Sequence, residues 1–193
     1  TVARDVKKRL AEPFELRSML LRDGADGSQG GLAIMRNPDA DQNATLLMKA
    51  TSHGLSHGHY DKLTISYYDN GNAILQDYGA SRFLNIEIKA NGGYTPLNKA
   101  YAMSTIAHNT VSVDQQDNYG GEIKVSSKYA PSIHCDDLFD ARVQVGLAIG
   151  TNSYPGVEFW REAANSADLG RRAGLLCIFL LRSGETHKYN VPY

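Results

Sequence analysis

The 193-residue sequence predicts an all-β protein, an antiparallel β-sandwich with a short helical segment in front of it. Three observations carry that prediction. Beyond residue 30, short runs rich in Val, Ile, Leu, Thr and Tyr follow one another, punctuated by Gly, Asn, Asp and Pro. Some of these runs alternate apolar with polar residues and others are apolar throughout, as expected where sheets pack face to face. Asn70-Gly71 stands between two of them; a type I′ hairpin turn favours this dipeptide because both central residues take positive φ.

Residues 1–23, TVARDVKKRLAEPFELRSMLLRD, place Val6, Leu10, Phe14, Leu16 and Leu20 among mixed charges, which predicts one or two short helices broken near Pro13. GADGSQGG follows as a glycine-rich break. Strands are then expected at GLAIMRN, ATLLMKAT, KLTISYYD, AILQDYG, HNTVSVD, ARVQVGLAIGT, VEFWREAA and GLLCIFLLRS. The chain thus divides into a helical segment, 1–23, and a β-sandwich, 24–193. A helical start before a long β run reads as the tail of a helical region upstream. The ending THKYNVPY, with no closing helix or polar tail, reads as a cut through a longer chain.

Composition narrows the function classes. Hydrophobic residues make up 42% and charged residues 21%, ordinary for a globular domain. The net charge of −1 offers no field for capturing nucleic acid or an anionic membrane. The longest apolar run, AGLLCIFLL, falls short of the roughly 20 residues that a membrane helix needs. Cys135 and Cys177 lie in no short motif, so the sequence leaves their pairing open.

The chemistry concentrates in SHGLSHGHYDKL, which holds three of the six histidines. Zinc takes imidazole nitrogen and carboxylate oxygen, commonly from one closely spaced pair and a distant third residue. His57 and His59, two apart on an extended segment, point to one face. With Asp77 after the hairpin and His108 opening another strand, a His59–Asp77–His108 set is chemically sound for one ion. The plainer reading is a pair of hydrogen-bonded loop histidines. Pairing across a two-residue turn sets Asp77 opposite Thr64, about 16 Å of straight strand from His59, so the loop must fold back or a bulge must change the register. His53, His134 and His187 read as structural.

SHGHYDKL, DYGASRF, GGYTPLNKAYAMSTIAHNTVSVD and THKYNVPY, in that order, resemble the heparinase II/III-like C-terminal domain of polysaccharide lyases. The GGYTPLNKAYAMSTIAHNTV block tilts the resemblance toward the oligoalginate lyases of polysaccharide lyase family 17. The resemblance implies an N-terminal (α/α) toroid ahead of a large antiparallel sandwich, here incomplete at its C-terminal end. It implies a structural zinc ion on His59, Asp77 and His108, a cleft histidine and tyrosine in catalytic roles at His57 and Tyr94, and a sugar-carboxylate-binding arginine at Arg82. Asn109 would hold His108 in place through its backbone turn.

The main catalytic tyrosine and an Asn-His pair would lie in the toroid, so this chain by itself is expected to be inactive. The implied reaction is exolytic β-elimination on a uronate oligosaccharide by a periplasmic or secreted protein, and a homodimer is compatible with it. A heparan sulfate or other glycosaminoglycan substrate is the first alternative, though Arg82, Lys62, Lys89 and Lys99 make a thin cationic set for sulfates. A non-catalytic carbohydrate-binding sandwich is another. A cupin-like metalloprotein is disfavoured, because the further Glu and His at set spacing are missing.

Overall fold

A computed structural model describes residues 16–37, 43–53, 57–81, 94–140, 142–166 and 174–191. Eleven strands are described. The first sheet holds β1 (Met19–Arg22), β2 (Gly31–Asn37), β3 (Ala44–Ala50), β4 (Thr64–Asp69) and β5 (Asn72–Leu75), in that spatial order. The second holds β7 (Ser132–Asp136), β8 (Val143–Tyr154), β9 (Val157–Ser166) and β10 (Gly174–Ser183), also consecutive neighbours. β6 (Ser112–Val113) and β11 (Tyr189–Asn190) form a small separate ladder. Every pairing among the described residues is antiparallel.

Period-2 patterning decides which faces meet. In β2 and β3 every second residue is buried, from Ala33 and Met35 to Leu46 and Met48. In β9 the buried phase is Val157, Phe159, Arg161, Ala163 and Asn165. These faces enclose one apolar core that also takes in Leu63, Ile65, Val111, Ile133 and Ala148. Gly146 lets the sheets approach closely, since a Cβ there would meet Met35 Cε at 3.0 Å. Polar groups cross the layer too: Gln144 Nε2 donates to the Arg36 carbonyl at 2.7 Å, and Asn165 Nδ2 to the Met35 carbonyl at 3.2 Å.

The Asn70-Gly71 turn is present, with φ of 48° and 78° and Asp69 opposite Asn72. The register then shifts between Tyr67 and Tyr68, so Leu75 rather than Ile74 faces Tyr67. β4 starts only at Thr64, because Leu63 has φ of 58° and the chain turns there.

One boundary needs correction. Within the segment expected to be helical through residue 23, Met19–Arg22 is instead an edge strand on β2. Leu16 and Leu20 fit a helical spacing, but the free edge of β2 offers backbone partners. Ser18 seals the start of the pairing: its hydroxyl donates to the Arg36 carbonyl at 3.1 Å and accepts the Arg36 amide at 2.8 Å. Residues 1–15, and with them most of the expected helices, lie outside the described residues. β7 is absent from the expected strands although SIHCD alternates, because the run offers only two apolar residues, Ile133 in the core and Cys135 packed against it. Cys135 and Cys177 are free thiols. They sit on β7 and β10, with β8 and β9 between them. Three interstrand spacings amount to about 14 Å, well past disulfide reach.

Candidate functional site

The histidine loop lies between β3 and β4, and the segment that answers it, residues 94–119, lies between β5 and α1 (Ile123–Ser126). Neither is regular for long, so their backbone groups need other partners. The Tyr60 amide donates to the Met103 carbonyl at 2.9 Å, and Thr105 Oγ1 returns a bond to the Tyr60 carbonyl at 2.7 Å. The Lys62 amide donates to Asn118 Oδ1 at 3.0 Å, and Thr110 Oγ1 donates to the Lys62 carbonyl. Asn109 Nδ2 donates to the Ile65 carbonyl at 3.0 Å. The two segments are thereby sewn together through buried polar bonds, which a low-dielectric surround strengthens.

Arg161 completes this seam from the opposite sheet. Its Nη1 donates to the Leu63 carbonyl at 2.7 Å and to the Asn109 carbonyl, while its guanidinium lies 4.3 Å from the Phe179 ring centre. Arg161 is not among the residues that the sequence nominates. A signal is there to find: it falls in phase with Val157, Phe159 and Ala163, the apolar inward set of β9.

The candidate residues gather at the mouth of this seam. His57 Nδ1 lies 2.7 Å from the Tyr94 phenol oxygen, with both side chains at the surface. His108 Nδ1 is 3.0 and 2.9 Å from the two carboxylate oxygens of Asp77, which follows β5. The His59 and His108 ring centres are 5.1 Å apart. Thr64 Oγ1 also donates to Asp77 at 3.3 Å, so Asp77 does sit beside Thr64. The bulge does not solve the register problem, since the shift to Tyr67 opposite Leu75 carries Asp77 one residue further from His59; the histidine loop doubles back instead, which sets His59 beside His108. Asn109, next to His108 in the chain, is anchored by its side-chain bond to the Ile65 carbonyl. Arg82 lies outside the described residues.

The charges in this cluster are set by burial and by hydrogen bonds. Burial pushes the His59 imidazolium down, and neighbouring His108 adds to the effect, so His59 is neutral near pH 7 with a lone pair to offer. Burial alone would raise the Asp77 carboxyl; bonds from His108, the Gly79 amide and Thr64 more than reverse that and hold it below the usual range.

A metal ion is tested by spacing. Two ligand atoms on one tetrahedral zinc are about 3.3 Å apart, and two imidazole centres about 5 Å. The His108–Asp77 and His59–His108 separations come close to both figures. The other ring nitrogen, His108 Nε2, is buried without a hydrogen-bond partner; an ion bound there would leave Asp77 orienting the ring from Nδ1. Among the described residues, however, no three His, Cys, Asp or Glu side chains close into a ligand shell. His108 and Asp77 bond to each other, as a shared proton allows, and His59 stands beside them. The donor set therefore fits zinc in chemistry and in those two spacings, without being preassembled around it.

The described residues thus form a two-sheet antiparallel sandwich with a histidine-rich loop and a tyrosine at one mouth. Residues 19–171 match the family model described as heparinase II/III-like, C-terminal, and the chain belongs to that family. An alginate lyase of Stenotrophomonas maltophilia is 40% identical over 193 residues, covering 99% of this chain and 26% of the relative. An exo-oligoalginate lyase of Saccharophagus degradans is 42% identical over 160 residues, covering 83% of this chain and 22% of that protein. The chain thus spans about a quarter of the length of these relatives.

Among solved structures, a heparinase III gene product superposes with a TM-score of 0.59 at 16% identity, over 97% of this chain and 25% of that one. A heparan sulfate lyase of Pedobacter heparinus gives 0.51 at 18% identity, over 84% of this chain and 22% of that one. At such identities the likeness speaks to the fold, and it agrees with the sandwich. Among the described residues no helix is long and apolar enough to cross a membrane.

Proposed function

We propose that this chain is the sandwich portion of a lyase that cleaves oligoalginate from an end by β-elimination, and that it supplies one wall of the substrate cleft. The observation that carries the reading is the exposed 2.7 Å contact of Tyr94 with His57, which lies two residues along the chain from His59, whose ring centre is 5.1 Å from that of His108. Alginate is favoured over a sulfated glycosaminoglycan by the identity to two alginate lyases and by the sparse cationic residues near the motifs.

In β-elimination a base takes the sugar proton at C5, the C4–O4 bond breaks, and the departing O4 takes a proton. Tyr94 is suited to the last of these steps. Phenols keep their proton at neutral pH and can hand it to an oxygen at hydrogen-bond distance. His57 holds the phenol in place and restores its proton from solvent. The base, and the groups that neutralise the sugar carboxylate alongside Arg82, belong to an N-terminal toroid of the same protein. Arg82 would grip the carboxylate with its planar fork, stabilising the charge that grows on it in the transition state.

His59, Asp77 and His108 would hold one zinc ion, whose contribution is structural: it fixes three loop ends whose neutral or anionic donors face one another. The protein would act in the periplasm or outside the cell, where uronate polymers are met. The test is absorbance of the unsaturated uronate product from oligoalginate with the full-length protein. Tyr94→Phe should lower kcat at least about 100-fold; an unimpaired Tyr94→Phe enzyme would defeat the assignment.

A further inference from the structure

Away from the cleft residues, Ser183, His187 and Asp114 form a hydrogen-bonded line. Ser183 ends β10, His187 lies in the short link to β11, and Asp114 follows β6. His187 Nδ1 is 2.7 Å from Asp114 Oδ2, and His187 Nε2 is 2.9 Å from Ser183 Oγ. The sequence suggests a structural His187 with backbone partners; its partners are two side chains.

Proton placement follows from the acceptor. The hydrogen bond from His187, helped by the Lys188 amide, holds the Asp114 carboxyl below its ordinary range, so it accepts. In the neutral imidazole Nδ1 then carries the proton, Nε2 keeps its lone pair, and the Ser183 hydroxyl can donate to it. The Glu185 amide donates to Ser183 Oγ at 3.1 Å and fixes the hydroxyl's rotamer. The imidazole is mostly shielded, with its side chain 14% exposed, whereas the approach to the serine is open: a Cβ placed on Gly184 would meet nothing within 4 Å.

A bracket tying the β10–β11 link to β6 would need Asp114, His187 and the Lys188 amide. It has no use for a hydroxyl aligned on the far imidazole nitrogen. That alignment, with the base oriented by a carboxylate, is the arrangement that activates a serine nucleophile on unrelated folds.

We propose that Ser183, His187 and Asp114 form a second, hydrolytic site that cleaves carboxylic esters of small acyl groups. Ser183 Oγ bonds to the ester carbonyl carbon as its proton passes to His187 Nε2. The carbon–oxygen bond to the alcohol then breaks, and the alcohol leaves with that proton. Water, deprotonated by the same imidazole, attacks the acyl-serine and releases the carboxylic acid. The Gly184 amide, next along the chain from the nucleophile, is assigned as donor to the developing oxyanion, the placement used by other serine hydrolases. With no wall near Gly184 to grip a long acyl chain, a small ester loses nothing by its size, and an alcohol leaves an acyl group more readily than an amine does. This site does not depend on the lyase reading.

The test uses p-nitrophenyl acetate and diisopropyl fluorophosphate with the full chain. The expected result is hydrolysis beyond one equivalent, falling at least about 100-fold in Ser183→Ala and His187→Ala. Peptide mass analysis of the unmutated protein should find the phosphoryl adduct on Ser183, a readout that no folding defect in a variant can affect. An unlabelled Ser183, or a folded Ser183→Ala variant with undiminished turnover, overturns the proposal.

Discussion

Arg161 on β9 and Asn109 next to His108 are joined by a hydrogen bond from guanidinium to carbonyl, and the same Nη1 also holds the Leu63 carbonyl at 2.7 Å. One cation rooted in the second sheet therefore pins both segments that carry the candidate site. Arg161→Met should leave two buried carbonyls short of a donor and cost about 2–4 kcal/mol. Denaturant titration measures this, and Arg161→Lys should recover part of the loss. A methionine variant as stable as the unmutated chain would show that the seam does not depend on this residue.

The metal reading predicts that the purified chain binds one zinc, and that His59→Ala and Asp77→Ala both lose it. Elemental analysis decides. Unchanged zinc in both variants removes the ion from the account. If Asp77→Ala alone keeps zinc, Asp77 is instead the carboxylate that orients His108, whose Nε2 is the buried atom without a partner. Chelation should also lower the thermal midpoint, since an ion bound by the folded state alone stabilises it.

For catalysis, the 193-residue chain alone should give no unsaturated-uronate absorbance from oligoalginate, because the base is assigned to the toroid. Adding the toroid portion, or testing the full-length protein, should produce it. Activity in the isolated chain would mean that base and acid both reside here.

Stability should depend on pH through Lys62. This residue is 1% exposed, and burial lowers its ammonium pKa from 10.5 to about 8. Between about pH 8 and pH 10.5 the unfolded chain therefore binds a proton that the folded one has released, and stability rises with pH across that window, by at most about 3 kcal/mol. Tyr154 works the other way. Burial raises its phenol, so above pH 10 the folded chain keeps a proton that the unfolded chain loses, and stability falls again. The denaturation midpoint should be higher at pH 9.5 than at pH 7.5, and Lys62→Met should flatten that rise. A midpoint that falls steadily from pH 7.5 would contradict the assignment.

Most strands were legible because their signal is local. Alternation in GLAIMRN and VEFWREAA reports which side is buried, and Asn70-Gly71 announces its own turn. Met19–Arg22 was not legible: so short a strand is set by the free edge beside it, and that edge lies well along the chain, with Met19 opposite Ile34. The candidate site divides the same way. Residue types and the His57/His59 spacing marked the loop and nominated Asp77 and His108. Nothing local shows that Thr105, Thr110 and Asn118 bind that loop, or that Ser183 and Asp114 meet on His187.

By itself the sequence determined the β-sandwich class, the hairpin and the chemical identity of the groups at its mouth, since alternation, turn dipeptides and side-chain chemistry are properties of neighbours along the chain. Tertiary structure alone decided that His57 reaches Tyr94 and that Arg161 braces the seam. Those contacts join residues far apart in sequence. They form only once the enclosed core has fixed the two sheets against each other, because a hydrogen bond needs its partners placed to within a fraction of an ångström.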